Sequence, residues 1–315
     1  MELLLFIAIF LIGLFLLEKG ADLFTDKVGE LAERTRASET VVGLLTAGIE
    51  WEELVVVVIA AASGNIGIAV GNVIGSNIAN ITGSFSLGLL VKPISIRRDD
   101  RIYVMAMLGL TLLAAVFLFQ GEVGRGSGLI LLAIFALYLA VLIVTLVKGT
   151  LRVQFDREVE SEGDQSDSVL KLSIFAFVGL ALIVAGAEAV IQSSLYFARL
   201  LGLSEFVVGL TLVSVGTTLP DKVISIAAAL KGRSGIVAAS AIGSNIFNLF
   251  FVLGLAAVIQ PLYVDQATLA FDVPVLIGVS TLMAVMFLRQ QLHRLEGAIL
   301  LSLYVAYLVY NFAFK

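Results

Sequence analysis

Apolar runs long enough to cross a lipid bilayer recur along the whole chain, and they limit the folds open to it. About 20 residues of α-helix span the hydrocarbon layer, and runs near that length alternate with short polar breaks from Leu3 to Phe312. Only 14% of the 315 residues are charged, against about 25% in soluble domains. The sequence therefore predicts an all-α membrane protein.

The polar breaks between the apolar runs predict ten transmembrane helices. The first run follows Glu2 and lacks the basic start of a signal peptide, so we interpret it as a retained helix. The predicted bounds are residues 3–26, 41–62, 66–91, 102–119, 128–147, 172–199, 207–230, 235–262, 267–288 and 295–312.

Lysine and arginine are distributed unevenly between the two sides of these helices. Fifteen of the 20 basic residues lie in the odd-numbered connections, and three lie in the even-numbered connections and at the C-terminus. Connections on the cytoplasmic side carry such an excess of basic residues. We therefore expect a multi-pass protein of the cell membrane with both termini outside.

One long polar segment, residues 148–171, divides the chain into two halves of five predicted helices. It carries six acidic residues between Asp156 and Asp167, and it lacks the ligand spacing of a calcium-binding EF-hand loop. We interpret it as a solvated cytoplasmic linker. The predicted domains are a first five-helix repeat (1–147), this linker (148–171) and a second five-helix repeat (172–315).

The two halves repeat one another in sequence. The run Ile-Gly-Ser-Asn-Ile occurs at residues 74–78 and 242–246, an offset of 168 positions, and Asn80 or Asn248 follows each run. Toward the N-terminus the offset becomes 166, which pairs Asp22 with Glu188. Because each copy has five helices, the second must have the opposite orientation. Inverted repeats place a substrate site near the bilayer midplane, and rocking of one repeat opens it to alternate sides.

Carboxylates inside the predicted helices follow the same repeat. Glu53 and Asp221 are 168 positions apart and are therefore symmetry mates. A charge at mid-bilayer costs roughly 2.5 to 3.5 kcal/mol on insertion scales, which favours a functional role; an ion pair between helices is the alternative. Glu50, three residues before Glu53, shares its helix face and is a further ligand candidate, whereas Glu52 points elsewhere and is expected to have a structural or interfacial role.

The second copy contains an interrupted helix next to its carboxylate. Pro220 cannot donate a backbone hydrogen bond, so it frees a carbonyl beside Thr217 and Thr218. A free carbonyl, two hydroxyls and a carboxylate are hard oxygen ligands of the kind that sodium or calcium prefers.

These motifs resemble those of the calcium/cation antiporter superfamily, particularly the prokaryotic sodium/calcium exchangers. Their repeats pair a Gly-Thr-Ser-Leu-Pro-Glu-like motif with a Gly-Ser-Asn-Ile-x-Asn-like one, which residues 216–221 and 243–248 match closely. The resemblance implies Ca²⁺ exchanged for Na⁺ by alternating access, with these ions as cargo and no tightly bound cofactor. With Glu50 added from its helix position, the implied metal site comprises Glu53, Ser76, Asn80, Thr217, Thr218, Asp221, Ser244 and Asn248.

The first copy departs from the family motif. Residues 48–53 read Gly-Ile-Glu-Trp-Glu-Glu, without hydroxyl groups or proline. A desolvated carboxyl group among like charges holds its proton to higher pH, so cation/H⁺ exchange is an alternative, and a non-transporting cation-binding protein is another. Lys222, whose counterpart is Leu54, is either a tethered cation that replaces a transported ion or a lysine whose stem packs while its ammonium reaches water.

The sequence favours a transporter over an enzyme. The chain has no cysteine, which excludes disulfides and thiolate sites. His293, the only histidine, lies in a polar connection where a solvated side chain is expected, since a histidine metal site normally has several ligands. The expected partners are cations and the lipid bilayer, with no nucleic acid. A monomer is compatible with this pattern, although the sequence leaves the oligomeric state open.

Overall fold

The computed structural model describes residues 2–34, 50–147 and 168–314. Residues 41–49 of the predicted second helix and most of the acidic linker lie outside these ranges. The helices are α1 (Glu2–Arg34), α2 (Trp51–Ala62), α3 (Ile66–Val91), α4 (Arg98–Leu118), α5 (Arg125–Val147), α6 (Val169–Leu201), α7 (Glu205–Thr217), α8 (Leu219–Leu230), α9 (Gly235–Ile259), α10 (Thr268–Met286) and α11 (Arg294–Phe314).

Nine candidate spans lie within the described residues. Eight helices are each long and apolar enough to cross a bilayer, and α7 and α8 together form a ninth that bends by 42°. Helix α2 has 12 residues, too few to cross by itself. The prediction of an all-α membrane protein is confirmed, and the tenth predicted span depends on residues outside the described ranges.

Several helix bounds differ from the predicted ones. Helix α1 continues to Arg34 instead of ending at residue 26, because apolar residues at helical spacing extend the pattern. The prediction of one helix over 235–262 is wrong at its end: α9 stops at Ile259, and Leu262 lies in a strand. The bounds of α3 agree with the prediction.

Within the described ranges, four two-residue strands, which the sequence did not predict, join the two halves. They are β1 (Ile94–Ser95), β2 (Glu122–Val123), β3 (Leu262–Tyr263) and β4 (Gln291–Leu292). β1 pairs with β4 and β2 pairs with β3, both antiparallel. Two paired strands lie on the same side of the membrane. The chain must therefore cross the membrane an even number of times between them.

The strand pairs indicate an inverted repeat. Between β2 and β3 the chain passes through α5, α6, α7–α8 and α9, and an even number of crossings results when α7–α8 crosses once. Helix α4 alone separates β1 from β2, so the two sheets lie on opposite sides. β1 belongs to one sheet and β3 to the other, so these two strands lie on opposite sides of the membrane. Because they follow the equivalent helices α3 and α9, this is what an inverted repeat requires.

Helices α3 and α9 form the centre of the fold. In their most apolar stretches 89% and 67% of residues are buried, against 17% in α1 and 11% in α5. Helix α3 approaches α7 very closely because Gly75 has no side chain: a Cβ there would lie 2.3 Å from the carbonyl oxygen of Leu210. Small residues allow such close helix contacts in membranes. This contact brings the motifs of the two halves together.

Candidate cation site

Three carboxylates from both halves meet at the N-terminal ends of two short helices. Oxygen atoms of Glu50, Glu53 and Asp221 all lie within 4.8 Å of one another. Glu50 immediately precedes α2 and Glu53 lies in its first turn. Asp221 lies in the first turn of α8, just after the break at Thr218. Helix N-termini carry a partial positive charge, which stabilises carboxylates at these positions.

Two asparagines extend this cluster into the central helices. Asn80 and Asn248 lie in the π-helical segments Asn80–Phe85 and Phe247–Val252, which interrupt α3 and α9 at equivalent places. The Asn248 amide donates a 2.7 Å hydrogen bond to Glu50 Oε2, although the residues are 198 positions apart. π-Helical turns are frequent at functional sites, and here they carry the predicted amide ligands.

Several oxygen atoms at this place have no hydrogen-bond partner within the described part of the chain. They are Oε1 of Glu50, Oε1 of Glu53, and Oδ1 of Asn80 and of Asn248, and all are buried. The residues Glu53 and Asn80 are 2% and 1% exposed. Leaving one such group unpaired costs about 1–3 kcal/mol, so a ligand that coordinates these oxygens would be strongly favoured.

Hydroxyl groups flank the carboxylates. Thr217 lies beside Glu53, and Ser244 lies beside Glu50. The hydroxyls of Ser76 and Thr217 both donate to Asn72 Oδ1, at 3.3 Å and 3.4 Å. Asn72 thus connects α3 to α7, a role that the sequence analysis missed.

Two polar positions could have been assigned from the repeat itself. The counterpart of Asn72 in the second half is Ser240, which is also polar. This match between the halves is the sequence signal that could have identified Asn72 as a link between α3 and α7. The asparagine within the Gly-Ser-Asn-Ile motif joins the central helices: the Asn245 amide donates to the Asn77 carbonyl at 3.2 Å.

Thr218 and Lys222 bind each other instead of the carboxylates. The Thr218 hydroxyl donates to the Ser214 carbonyl at 2.6 Å and accepts from the Lys222 ammonium. Lys222 forms no ion pair with Glu50 or Glu52: among the described residues, no carboxylate oxygen lies within 4.0 Å of Lys222 Nζ.

The remaining carboxylates lie outside the cluster. Glu52 lines a cavity of about 220 Å³ next to α1, together with Glu18. Asp22 and Glu188 are exposed on α1 and α6, where they bind Lys19 and Gln192. The site therefore offers carboxylate, amide and hydroxyl oxygens, which are ligands for hard cations.

Comparisons with known proteins identify the family. The family described as sodium/calcium exchanger protein matches residues 5–144 and 171–313. The sodium/calcium exchanger MaX1 of Methanosarcina acetivorans is 32% identical over 346 aligned positions, covering 96% of this chain and 97% of that protein. The inner membrane protein YrbG of Escherichia coli is 30% identical and covers 90% of this chain and 89% of its own length.

A solved structure has the same fold. The sodium-calcium exchanger NCX_Mj, soaked with Na⁺ and Sr²⁺, superposes with a TM-score of 0.64 at 27% identity, covering 96% of this chain and 98% of that one. The family match includes both halves of the chain and therefore both halves of the carboxylate cluster. The chain accordingly belongs to the sodium/calcium exchanger family, a family of cation antiporters.

Proposed function

We propose that this protein exchanges Ca²⁺ for Na⁺ by alternating access through the carboxylate cluster. The observation that carries the proposal is the approach of Glu50, Glu53 and Asp221, drawn from both halves, to within 4.8 Å of one another. Three carboxylates this close repel one another, and a divalent cation offsets that repulsion. Sodium ions bind to the same kinds of oxygen where a membrane helix is interrupted.

Each candidate residue has a proposed role in this exchange. Glu53 and Asp221 are the central ligands, and Glu50 is a third carboxylate ligand. The amide oxygens of Asn80 and Asn248 complete the ion coordination, because they are buried without partners among the described residues. The other proposed members of the site are the hydroxyl residues Ser76, Thr217, Ser244 and Thr218, the last of which acts at the edge of the site through its contact with Lys222.

The same proposal includes the arrangement in the membrane. Both termini face outward and the linker is cytoplasmic, as the excess of basic residues in odd-numbered connections supports. The strand pairs agree with this arrangement, since β1 and β4 both follow odd-numbered spans. One chain supplies the ligands of both halves, so a monomer is sufficient for transport.

Exchange of Ca²⁺ for H⁺ is the second candidate. It is favoured by one observation: Glu50 stands where the second half has the hydroxyl of Thr218, so the cluster has one more carboxylate than symmetry requires. Protonation of carboxylates would discharge the site without sodium.

Calcium uptake into proteoliposomes, driven separately by a sodium and by a pH gradient, tests the proposal. We expect uptake with the sodium gradient, and a loss on the order of a hundredfold in Glu53→Gln and in Asp221→Asn, because each removes one charge from a buried ion contact. Glu188→Gln and Asp22→Asn remove exposed carboxylates on membrane helices and are matched controls that should keep wild-type uptake.

The outcomes separate the candidates. Uptake with the pH gradient alone would select proton exchange. If neither the sodium gradient nor the pH gradient drove calcium uptake by the purified wild-type protein, the proposed exchange would be refuted. Equal losses in the control variants would show that the carboxylate cluster has no special role.

A further inference from the structure

Lys222 is placed at the break between α7 and α8, next to the carboxylate cluster. Its ammonium donates to the Thr218 carbonyl at 3.2 Å, to the Val215 carbonyl at 3.5 Å and to the Thr218 hydroxyl. Its stem passes over Gly83 of α3, where a Cβ would lie 3.4 Å from Lys222 Cε. The side chain is thus directed into the protein and not toward lipid headgroups.

The oxygens around this ammonium are of the type that binds alkali cations. Two are backbone carbonyls at a helix interruption and one is a hydroxyl, and all three are neutral. Interrupted membrane helices coordinate monovalent cations through such carbonyls. The ammonium therefore occupies a cage of oxygens, defined by Val215 and Thr218, that would otherwise suit a free monovalent ion.

The internal repeat shows that Lys222 is one of two matched changes. Glu50 and Leu54 in the first half correspond to Thr218 and Lys222 in the second. Each half keeps the same backbone bond between these positions, Leu54 N to Glu50 O at 3.1 Å and Lys222 N to Thr218 O at 3.3 Å. Compared with the other half, the first half has an added negative charge at Glu50. The second half has an added positive charge at Lys222.

The two added charges balance the site around a divalent ion. When ionised, the carboxylates of Glu50, Glu53 and Asp221 carry three negative charges, and Lys222, the residue after Asp221, adds one positive charge beside them. With the ammonium counted, the net charge of the cluster equals that needed to neutralise one divalent cation. Without it, the loaded site would retain one unbalanced charge inside the membrane, which is costly.

We propose that Lys222 is a built-in monovalent cation, which fills the oxygen cage at the helix break and compensates Glu50, so that calcium moves without a monovalent co-ion. This inference rests on the proposed calcium transport, and it concerns the ion requirement of that transport.

Exchange of internal for external calcium in proteoliposomes tests this role without any sodium or pH gradient. Liposomes loaded with Ca²⁺ are diluted into ⁴⁵Ca²⁺, with N-methylglucamine, too large for the cage, as the background cation on both sides. Wild-type exchange should be unchanged when ammonium or potassium is added to both sides. Lys222→Ala should be slower on the order of tenfold or more in N-methylglucamine, and ammonium or potassium should restore it.

Three further variants separate charge from structure. Lys222→Arg keeps the charge and should need no added ion. Lys231→Ala, an exposed lysine at the end of the same helix, should behave as wild type. The double variant Glu50→Gln with Lys222→Gln removes both added charges and should exchange calcium faster than Lys222→Gln alone, without added ammonium.

Two results would overturn the proposal. One is a Lys222→Ala exchange rate equal to wild type in N-methylglucamine. The other is a slow rate that neither ammonium nor the removal of the Glu50 charge increases. If wild-type protein exchanges calcium for calcium but neither gradient drives net uptake, the proposed antiport fails and the role of Lys222 is still decided by these rates.

Discussion

Replacing Gly75 by alanine tests how closely α3 must approach α7 for the site to form. The new Cβ would lie 2.3 Å from the carbonyl oxygen of Leu210 and 2.7 Å from Oγ of Ser214. An ordinary carbon–oxygen contact is about 3.3 Å or longer. The two helices would therefore have to separate by about 1 Å, because a backbone carbonyl cannot turn aside as a side chain can.

This separation should affect both stability and ion binding. Overpacking of this kind costs about 1–3 kcal/mol. Helix α3 carries Ser76 and Asn80, and α7 carries Thr217, so the shift also misplaces ligands on both sides of the site. A misplacement of about 1 Å can reduce activity on the order of a hundredfold.

The assay combines thermal unfolding in detergent with calcium uptake into proteoliposomes. Gly75→Ala should melt at a lower temperature than wild type and lose most of its uptake. Gly109→Ala is the matched control, because Gly109 is exposed on α4 and a Cβ there meets no atom of the described residues within 4 Å. Ser214→Ala in the Gly75→Ala background should not restore uptake, since it leaves the Leu210 carbonyl in place. Wild-type melting and uptake in Gly75→Ala would refute the reasoning.

Two further predictions concern regions away from the site. Tyr307→Phe removes the hydroxyl that donates a 3.0 Å hydrogen bond to the buried carboxylate of Asp272, so it should lower the free energy of unfolding by about 1–3 kcal/mol. Tyr310→Phe on the same helix should not lower it, and equal melting temperatures of the two variants would contradict this prediction. The chain has no cysteine, so single introduced cysteines can report the orientation in the membrane. A cysteine in place of Glu122 should react with an impermeant maleimide on intact cells, and one in place of Lys231 should react only after permeabilisation. The reverse pattern would refute the proposed orientation.

The sequence alone determined the class of protein and the symmetry of its site. Apolar runs report the solvent around each helix, and this local property made the membrane class and most helices predictable. The repeat offset paired Glu53 with Asp221 without any coordinates, and helical spacing added Glu50 to the same face. The domain division at residues 148–171 stays a prediction, because most of that segment lies outside the described residues.

Tertiary structure decided which polar groups bind one another. The bond from Asn248 to Glu50 joins residues 198 positions apart, and it depends on how α9 packs against the start of α2, which no local pattern encodes. Thr218 was predicted as an ion ligand, and the structure places its hydroxyl against Lys222 and the Ser214 carbonyl. The reason is physical: hydropathy and periodicity specify which face of a helix is buried, whereas the partner of each buried oxygen is determined only when the two inverted halves come into contact.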